Sequence, residues 1–335
     1  MLANYSFTTL SIFRETLRWN FMTNFLTGVV CLFLAVIASS VLAEEVKLKP
    51  ILVTGASSGI GLRVTEVLSK NGYFVYAGAR KKEDLEQLDG MKNVESVRLD
   101  VTIQSDIDAA VKFVSNRGRG LYGLINNAGV AMAGPLIEVP IEELEWLFDV
   151  NVYGPYRITQ AFAPLLIESS GRIVNIGSLT GIFAGSLNGH YSMSKHAIEA
   201  YTDSLAAEMD RYDVKVSVIE PGSFASNAGK TANERLEEKL YWNESSAYNV
   251  ELALMKSRSA DIKPGKDPIE VANAIMHALS SKNPKRRYLV ANAAWTTITI
   301  NNALDRVLQL NQDQAYTKSR DQLVDILDKK LKRMN

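Results

Sequence analysis

Tyr191 and Lys195 stand four residues apart in the stretch Tyr191-Ser192-Met193-Ser194-Lys195, a spacing that puts both on one face of a helix. An ammonium beside a phenol stabilises the phenolate, so the pair suits proton transfer near neutral pH. Ser178 precedes Tyr191 by thirteen residues and follows the apolar run Arg172-Ile173-Val174-Asn175-Ile176. A hydroxyl at the C-terminal end of a strand sits on the edge where open α/β sheets bind ligands. Tyr-x-x-x-Lys recurs by chance, and it gains weight only from what surrounds it.

The turn Thr54-Gly55-Ala56-Ser57-Ser58-Gly59-Ile60-Gly61 directly follows the apolar run Ile51-Leu52-Val53. Glycines there let the backbone turn tightly and approach a pyrophosphate at a helix N-terminus. The spacing TGxxxGxG differs from the general GxGxxG fingerprint, and a purely structural turn is the competing reading. Past the next strand, where NAD-binding units place an acid on the ribose, the chain reads Ala77-Gly78-Ala79-Arg80-Lys81-Lys82. A carboxylate would repel the extra phosphate of NADP, whereas a guanidinium binds it bidentately. The cations could equally open a solvated helix; NADP(H) is favoured over NAD(H).

These residues need a scaffold. Short apolar runs at 51–53, 74–77, 94–99, 121–126, 172–176, 214–219 and 288–290 alternate with helical segments ending at Lys70 and over 105–116, about 141–168, and 191–211. On the last helix Ala197, Tyr201, Leu205 and Met209 recur every four residues. Strands buried on both faces and separated by helices predict a parallel sheet covered on both sides. The expectation is an α/β fold: one doubly wound Rossmann-type domain with a seven-stranded parallel sheet, preceded by an N-terminal hydrophobic segment. The expected divisions are 1–47, the domain over 48–300, and a helical tail over 301–335.

With Asn126-Asn127-Ala128-Gly129 after the fourth strand and Pro221-Gly222 after the sixth, the chain resembles the classical branch of the short-chain dehydrogenase/reductase family over roughly 48–295. The resemblance implies a catalytic tetrad of Asn151, Ser178, Tyr191 and Lys195. It places Gly55, Ser57, Ser58, Gly59, Ile60 and Gly61 around the cofactor phosphates, Arg80 at the NADP position, and Asp100 and Val101 at the adenine. Asn127, Ala128 and Gly129 shape the cofactor cleft, which Tyr191, Lys195, Pro221, Gly222 and Ser226 complete. Leu121 to Gly129, Asn151-Val152-Tyr153-Gly154 and Val218-Ile219-Glu220-Pro221-Gly222 resemble the 17β-hydroxysteroid and retinol dehydrogenase branch. Two positions depart from the pattern: Ser226, where Thr is more usual, and Gly177, where a second Ser is frequent. The implied reaction is hydride exchange with a ketone, aldehyde or alcohol, with Tyr191 as acid or base and Asn151 ordering a relay water.

The insertion 223–263 is expected to lid the substrate cleft, and Phe224, Leu240, Tyr241, Trp242, Tyr248, Leu252 and Met255 give it apolar surface. Phe183, Leu187 and Met193 stand near the catalytic groups in sequence. This suits a hydrophobic carbonyl compound of steroid, retinoid or lipid type. The alternatives are a reductase of a more polar β-ketoacyl or polyol type, and a silent NADP(H)-binding sensor or scaffold. An intact tetrad argues against the sensor.

The chain has 335 residues, 37 basic and 37 acidic side chains, and one cysteine. Zero net charge argues against nucleic acid as a partner, and one Cys excludes a disulfide framework. Three scattered histidines make no metal site; His190 is expected to be exposed or pocket-lining, and His196 and His277 structural or exposed. Residues 22–43 carry no charge, between Arg14 and Arg18 on one side and Glu44 and Glu45 on the other. The run is long enough to anchor the chain in a bilayer. The basic flank then puts the catalytic domain on the non-cytoplasmic side. The alternative is a signal cleaved near Ala43 and a secreted enzyme. On the luminal or secreted side, Asn243-Glu244-Ser245 is a glycosylation sequon. The tail around Lys329-Lys330-Leu331-Lys332-Arg333 reads as solvated, with membrane-surface contact second. The composition also allows a homo-oligomer.

Overall fold

Ile51, Leu52 and Val53 are wholly buried, because the strand they form has neighbours on both edges and helices on both faces. The computed structural model describes residues 48–226, 235, 246–260 and 265–334, and the unit that begins at Lys49 carries the fold. Seven strands make one sheet in the order β3-β2-β1-β4-β5-β6-β7. They are β1 Lys49–Val53, β2 Tyr73–Ala79, β3 Val94–Arg98, β4 Gly123–Asn126, β5 Arg172–Ile176, β6 Lys215–Pro221 and β7 Arg287–Val290. Every pairing is parallel, with Ile51 opposite Val75 and Gly123, Ile125 opposite Val174, and Ile219 opposite Tyr288. This is the seven-stranded doubly wound architecture that the alternation of apolar runs predicts.

Side chains alternate across a strand, so the sheet divides its own core. Ile51, Val53, Val75, Ile125, Val174 and Ile219 pack with Val64 and Leu68 of α1 (Gly59–Lys70) and Val271, Ile275 and Leu279 of α8 (Ile269–Ser280). On the other face Leu52, Tyr76, Leu124, Ile173 and Val216 meet Ile107 and Val114 of α3 (Gln104–Asn116) and Ile158, Phe162 and Leu166 of α5 (Gly154–Glu168). The remaining helices are α2 Lys82–Asp89, α4 Ile141–Phe148, α6 Gly189–Met209, α7 Asn249–Ala260, α9 Ala293–Asn311 and α10 Arg320–Met334. Residue 300 therefore falls inside α9.

Two local expectations need correction. The single helix expected over about 141–168 is two helices joined by a π-helical turn at Asp149–Tyr153. Gly154 and Pro155 mark the restart: a Cβ on Gly154 would lie 2.7 Å from Val101 Cγ2, and Pro155 has no N–H to give at the first helical positions. On α6 the stripe facing inward is Ser194, Ile198, Thr202, Ala206 and Met209; Ala197, Tyr201 and Leu205 lie to its side, only partly buried.

Among the described residues no helix is long and apolar enough to cross a membrane. The expected anchor at 22–43 and the sequon at Asn243 lie outside the described residues.

Candidate active site

The strand order reverses between β1 and β4, and at such a switch point the loops beyond the C-terminal strand ends part to form a crevice. The turn after β1 forms one wall. Gly55 and Gly59 have φ of +63° and +52°, a conformation that costs an L-residue with a Cβ. Side chains are excluded as well: a Cβ on Gly55 would stand 2.9 Å from Ala128 Cα, and one on Gly61 2.1 Å from Gly55 O. Ser58, the N-cap of α1, gives the helix no side-chain cap, and its first turn carries no acid. The free amides and the positive end of the helix dipole thus fit a pyrophosphate.

Thr54 and Asn127 tie this turn to the loop after β4. Thr54 Oγ1 accepts hydrogen bonds from the amides of Asn127 and Ala128, each 3.0 Å. Asn127 Nδ2 donates to Thr54 O at 2.9 Å and Gly55 O at 3.0 Å. At the end of β2, Arg80 is exposed, and its guanidinium lies 3.5 Å from Asp100 Oδ2. Asp100 also accepts from Thr102 N at 3.0 Å and Thr102 Oγ1 at 2.7 Å. Burial raises the Asp100 carboxyl, but the Thr102 bonds and the Arg80 charge outweigh it and hold the pKa below the ordinary carboxylate value. Val101 is buried under Gly154. On the opposite wall Gly222 N donates to Val290 O, Pro221 ends β6, and a Cβ on Gly59 would meet Ser226 Cα at 3.0 Å. Glycine turn, Arg80, Asp100, Asn127 and Ser226 thus surround one crevice.

The four residues expected to form a tetrad lie beside it: a Cβ on Gly129 would stand 3.4 Å from Asn151 Oδ1 and 3.9 Å from Lys195 Nζ. Ser178 follows β5; its Oγ accepts from Thr180 N at 3.2 Å and Thr180 Oγ1 at 3.1 Å. Tyr191 and Lys195 share a face of α6, with Lys195 Nζ 5.6 Å from the Tyr191 ring centre. Lys195 Nζ donates to Ile176 O at 2.9 Å, two residues before Ser178. Asn151, buried in the π turn, donates through Nδ2 to Val130 O at 2.9 Å and Ser194 Oγ at 3.1 Å. Its Oδ1 accepts from Val130 N at 2.8 Å. The extra residue of the π turn turns this amide out of the helix and lets it clamp the β4 loop onto α6; such turns recur at functional sites.

The expected lowering of the Tyr191 phenol by Lys195 is not what this geometry produces. Burial pushes Tyr191 up to about 12, with a Ser178 hydrogen bond working against the rise. Burial pushes Lys195 down to about 8, opposed by the charge of Glu199. The Lys195 ammonium is spent on the Ile176 carbonyl rather than on the phenol oxygen, so desolvation governs both groups.

His190 falls elsewhere than expected, while His196 and His277 take the structural reading. His190 is fully buried, with Nδ1 unpartnered among the described residues, and burial lowers its pKa. His196 Nδ1 meets Ser192 O at 2.8 Å and its Nε2 meets Arg306 at 3.1 Å; His277 bonds the Tyr288 hydroxyl at 2.7 Å. Met193 is exposed on the far side of α6, in an apolar depression of about 500 Å³ with Leu136, Phe148 and Ala184. Phe183 stacks on Trp295 of α9 at 6.2 Å. Of the expected lid, Ser246 and Ala247 bond Glu138 at 2.6 and 3.1 Å, Arg235 pairs with Glu143, and Leu252 is buried. Leu240, Tyr241 and Trp242 lie outside the described residues.

The sequence reading missed Thr54 as a structural pin, and it missed a buried polar ladder. Asn126 Nδ2 donates to Asn175 Oδ1 at 2.8 Å and Thr159 Oγ1 at 3.1 Å, and Asn175 Nδ2 to Thr202 Oγ1 at 2.9 Å. Asn inside two apolar strands was the available signal, since a buried amide needs partners.

A family model described as short chain dehydrogenase matches residues 49–237. The chain belongs to the short-chain dehydrogenase family. As such it is an oxidoreductase of the kind that acts on hydroxyl and carbonyl groups. It is 34% identical over 262 residues to retinol dehydrogenase 7 of Rattus norvegicus, covering 74% of this chain and 81% of that one. It is 30% identical over 275 residues to the mitochondrial D-beta-hydroxybutyrate dehydrogenase of the same organism, covering 76% and 80%. The crystal structure of a short chain dehydrogenase from Burkholderia cenocepacia in complex with NADP superposes with a TM-score of 0.62 at 25% identity, covering 79% of this chain and 97% of that one.

Proposed function

We propose that this short-chain dehydrogenase is an NADP(H)-dependent enzyme that interconverts a hydrophobic ketone or aldehyde and its alcohol, with Asn151, Ser178, Tyr191 and Lys195 as its working groups. The convergence of Ser178, Tyr191 and Lys195 beside the glycine turn carries the reading. Gly55, Ser57, Ser58, Gly59, Ile60 and Gly61 would hold the pyrophosphate, Arg80 the ribose phosphate, Asp100 and Val101 the adenine. Lys195 would hold the nicotinamide ribose, with Asn127, Ala128, Gly129, Pro221, Gly222 and Ser226 closing the cleft. When bound, the nicotinamide supplies or takes up hydride.

The chain's own residues manage the oxygen. Ser178 Oγ and the Tyr191 phenol hydrogen-bond the carbonyl oxygen, and Tyr191 gives its proton to the alkoxide as it develops. A phenol held protonated by burial carries the proton that this transfer needs. Lys195 keeps a positive charge behind the phenol below about pH 8, and Asn151 would order the relay water.

Similarity to a retinol dehydrogenase supports a hydrophobic substrate, as do the Phe183–Trp295 stack and the apolar residues of 223–263, which we read as a lid. The run at 22–43 supports a membrane anchor with the catalytic domain on the non-cytoplasmic side. The test is oxidation of NADPH and NADH, in parallel, against a panel of retinoid, steroid, fatty and polar carbonyls. Turnover of apolar carbonyls with NADPH is expected; Tyr191→Phe should abolish it while leaving NADPH binding nearly intact. Equal loss of binding and turnover in Tyr191→Phe, or preference for NADH, would overturn the respective assignment.

A further inference from the structure

One helical turn past Lys195, Glu199 is buried at 8% exposure, and its carboxylate reaches under the catalytic strand end. A Cβ on Gly177 would lie 2.9 Å from Glu199 Oε1, and one on Gly181 3.1 Å from Glu199 Cγ. The carboxylate thus sits between Ile176, whose carbonyl takes the Lys195 ammonium, and Ser178. Glu220, 3% exposed on β6, faces it, and the two carboxyl groups are within hydrogen-bonding reach of each other. Arg287 of β7 closes the group: its Nε lies 3.1 Å from Glu199 Oε2 and 3.6 Å from Glu220 Oε1, and its Nη2 2.7 Å from Asp203 Oδ2. The proposed chemistry uses none of Glu199, Asp203, Glu220 and Arg287.

We propose that Glu199, clamped by Arg287 and Glu220, is a positioning residue that fixes Lys195 and the Gly177–Ser178 corner in their reactive arrangement. The inference rests on the tetrad reading above and adds to it the residues that hold the tetrad in place. Four elements meet at this cluster: the end of β5 through Gly177 just past it, β6 through Glu220, β7 through Arg287, and α6 through Glu199, Asp203 and Lys195. Three carboxyl groups face two cations there. Two buried carboxylates side by side cannot both be charged at low cost, so one proton balances the set. Glu199 Oε1 and Glu220 Oε1 have no other hydrogen-bond partner among the described residues, a gap that a proton held between them fills.

The proton belongs on Glu220, the carboxyl farther from the guanidinium: Arg287 Nε lies 3.1 Å from Glu199 Oε2 and 3.6 Å from Glu220 Oε1. Burial, and then the neighbouring Glu199 charge, push Glu220 up to about 8. Burial also raises Glu199, but Arg287 opposes that rise through its charge and its hydrogen bond, and Glu220 donates to it. Glu199 is then the charged member, and it works against the desolvation that drives the proton off Lys195.

Glu199→Gln tests the role. The high-pH limb of kcat should move to lower pH, and kcat should fall about 10- to 100-fold, as expected for a displaced catalytic group. The NADPH dissociation constant should change far less, and Glu199→Asp, which keeps the charge, should restore part of the loss. An unmoved limb in Glu199→Gln, or no difference between Gln and Asp, would overturn the proposal. A second measurement needs no turnover and covers the case in which Glu199→Gln does not fold. A carboxyl raised from 4.5 to about 8 stabilises the fold fully below 4.5 and loses that contribution as pH rises to about 8. Thermal stability of the wild type should therefore fall over that window relative to Glu220→Gln, which keeps a donor toward Glu199 and cannot ionise. Parallel curves for the two proteins would sink the shared proton and the clamp with it. A wild type that turns over no carbonyl yet shows the difference would sink the reaction and leave the clamp standing.

Discussion

Gly177 and Glu199 compete for one volume: the Glu199 carboxylate oxygen lies 2.9 Å from where a Cβ on Gly177 would be, with Val218 Cγ2 at 2.8 Å and Ile219 O at 3.2 Å. The missing side chain at 177 thus has a cause in α6 and β6, although the backbone there is ordinary. A serine at this position, frequent in the wider pattern, is compatible only with a smaller or displaced partner at 199. Gly177→Ser should therefore destabilise the fold by about 1–3 kcal/mol, the usual cost of overpacking a close-packed interior. It should also lower kcat, since the clash is adjacent to Ser178. Chemical denaturation and steady-state assays measure both. A fully stable and active Gly177→Ser would mean that the Glu199 carboxylate is free to leave.

Legibility in the sequence tracks distance along the chain. The glycine turn, the Tyr191–Lys195 pair and the seven strands are local patterns of spacing and hydropathy, and such patterns survive folding because the backbone repeat enforces them. The Glu199–Glu220–Arg287 cluster was not legible. Its members lie on three elements, 88 residues apart at the widest hydrogen bond, and each alone looks like an ordinary charge. The π turn at Asp149–Tyr153 was hidden for another reason: it spans 5 residues, too short a stretch to change the period read over the whole segment. Even the tyrosine–lysine logic was half right: the spacing brings the residues to one face, while burial, which spacing does not report, sets their proton affinities.

In the proposed function, cofactor choice turns on Arg80. Its guanidinium is exposed and touches Asp100 at 3.5 Å, so it is anchored without being used up. A fork of this kind favours a phosphate over a ribose hydroxyl by about 1.5–3 kcal/mol. Arg80→Glu should thus lower kcat/KM with NADPH relative to NADH by roughly 10- to 100-fold. Because Arg80 lies at a strand end, thermal stability should hardly change. An unaltered ratio between the two cofactors would remove Arg80 from the phosphate site.

Thr54 offers a separate handle on the cleft. Its hydroxyl accepts two amides from the loop after β4 and donates to Ile125 O at 3.3 Å. Thr54→Val keeps the shape and strands the partly buried Ala128 amide, at about 1–3 kcal/mol, while Asn127 N keeps Ile125 O at 3.0 Å. The loop carrying Asn127 to Gly129 should loosen, with NADPH affinity falling about 10-fold or more by that measure. Thr54→Ser should retain wild-type affinity. Binding titrations followed by nicotinamide fluorescence separate these outcomes, and equal affinity in Val and Ser variants would show that the pin is dispensable.

Lys195 makes activity and stability depend on pH in opposite senses. Its ammonium is held down to about 8 by burial, from an ordinary 10.5. Below about pH 8 it carries the charge that would hold the nicotinamide ribose and back the Tyr191 phenol, so the rate of carbonyl reduction should fall as pH rises through that value. Stability runs the other way. A lysine whose folded value is depressed costs most when the folded protein must protonate it, and between about 8 and 10.5 only the unfolded chain binds that proton. This group's contribution therefore rises with pH across that window and is lowest below about 8. Lys195→Met should abolish both dependences together, with stability compared between the variant and the wild type at each pH. A reductive rate that holds to about pH 10, near the ordinary lysine value, would show that the ammonium survives burial, and with it that the Ile176 carbonyl and Glu199 outweigh desolvation at this site.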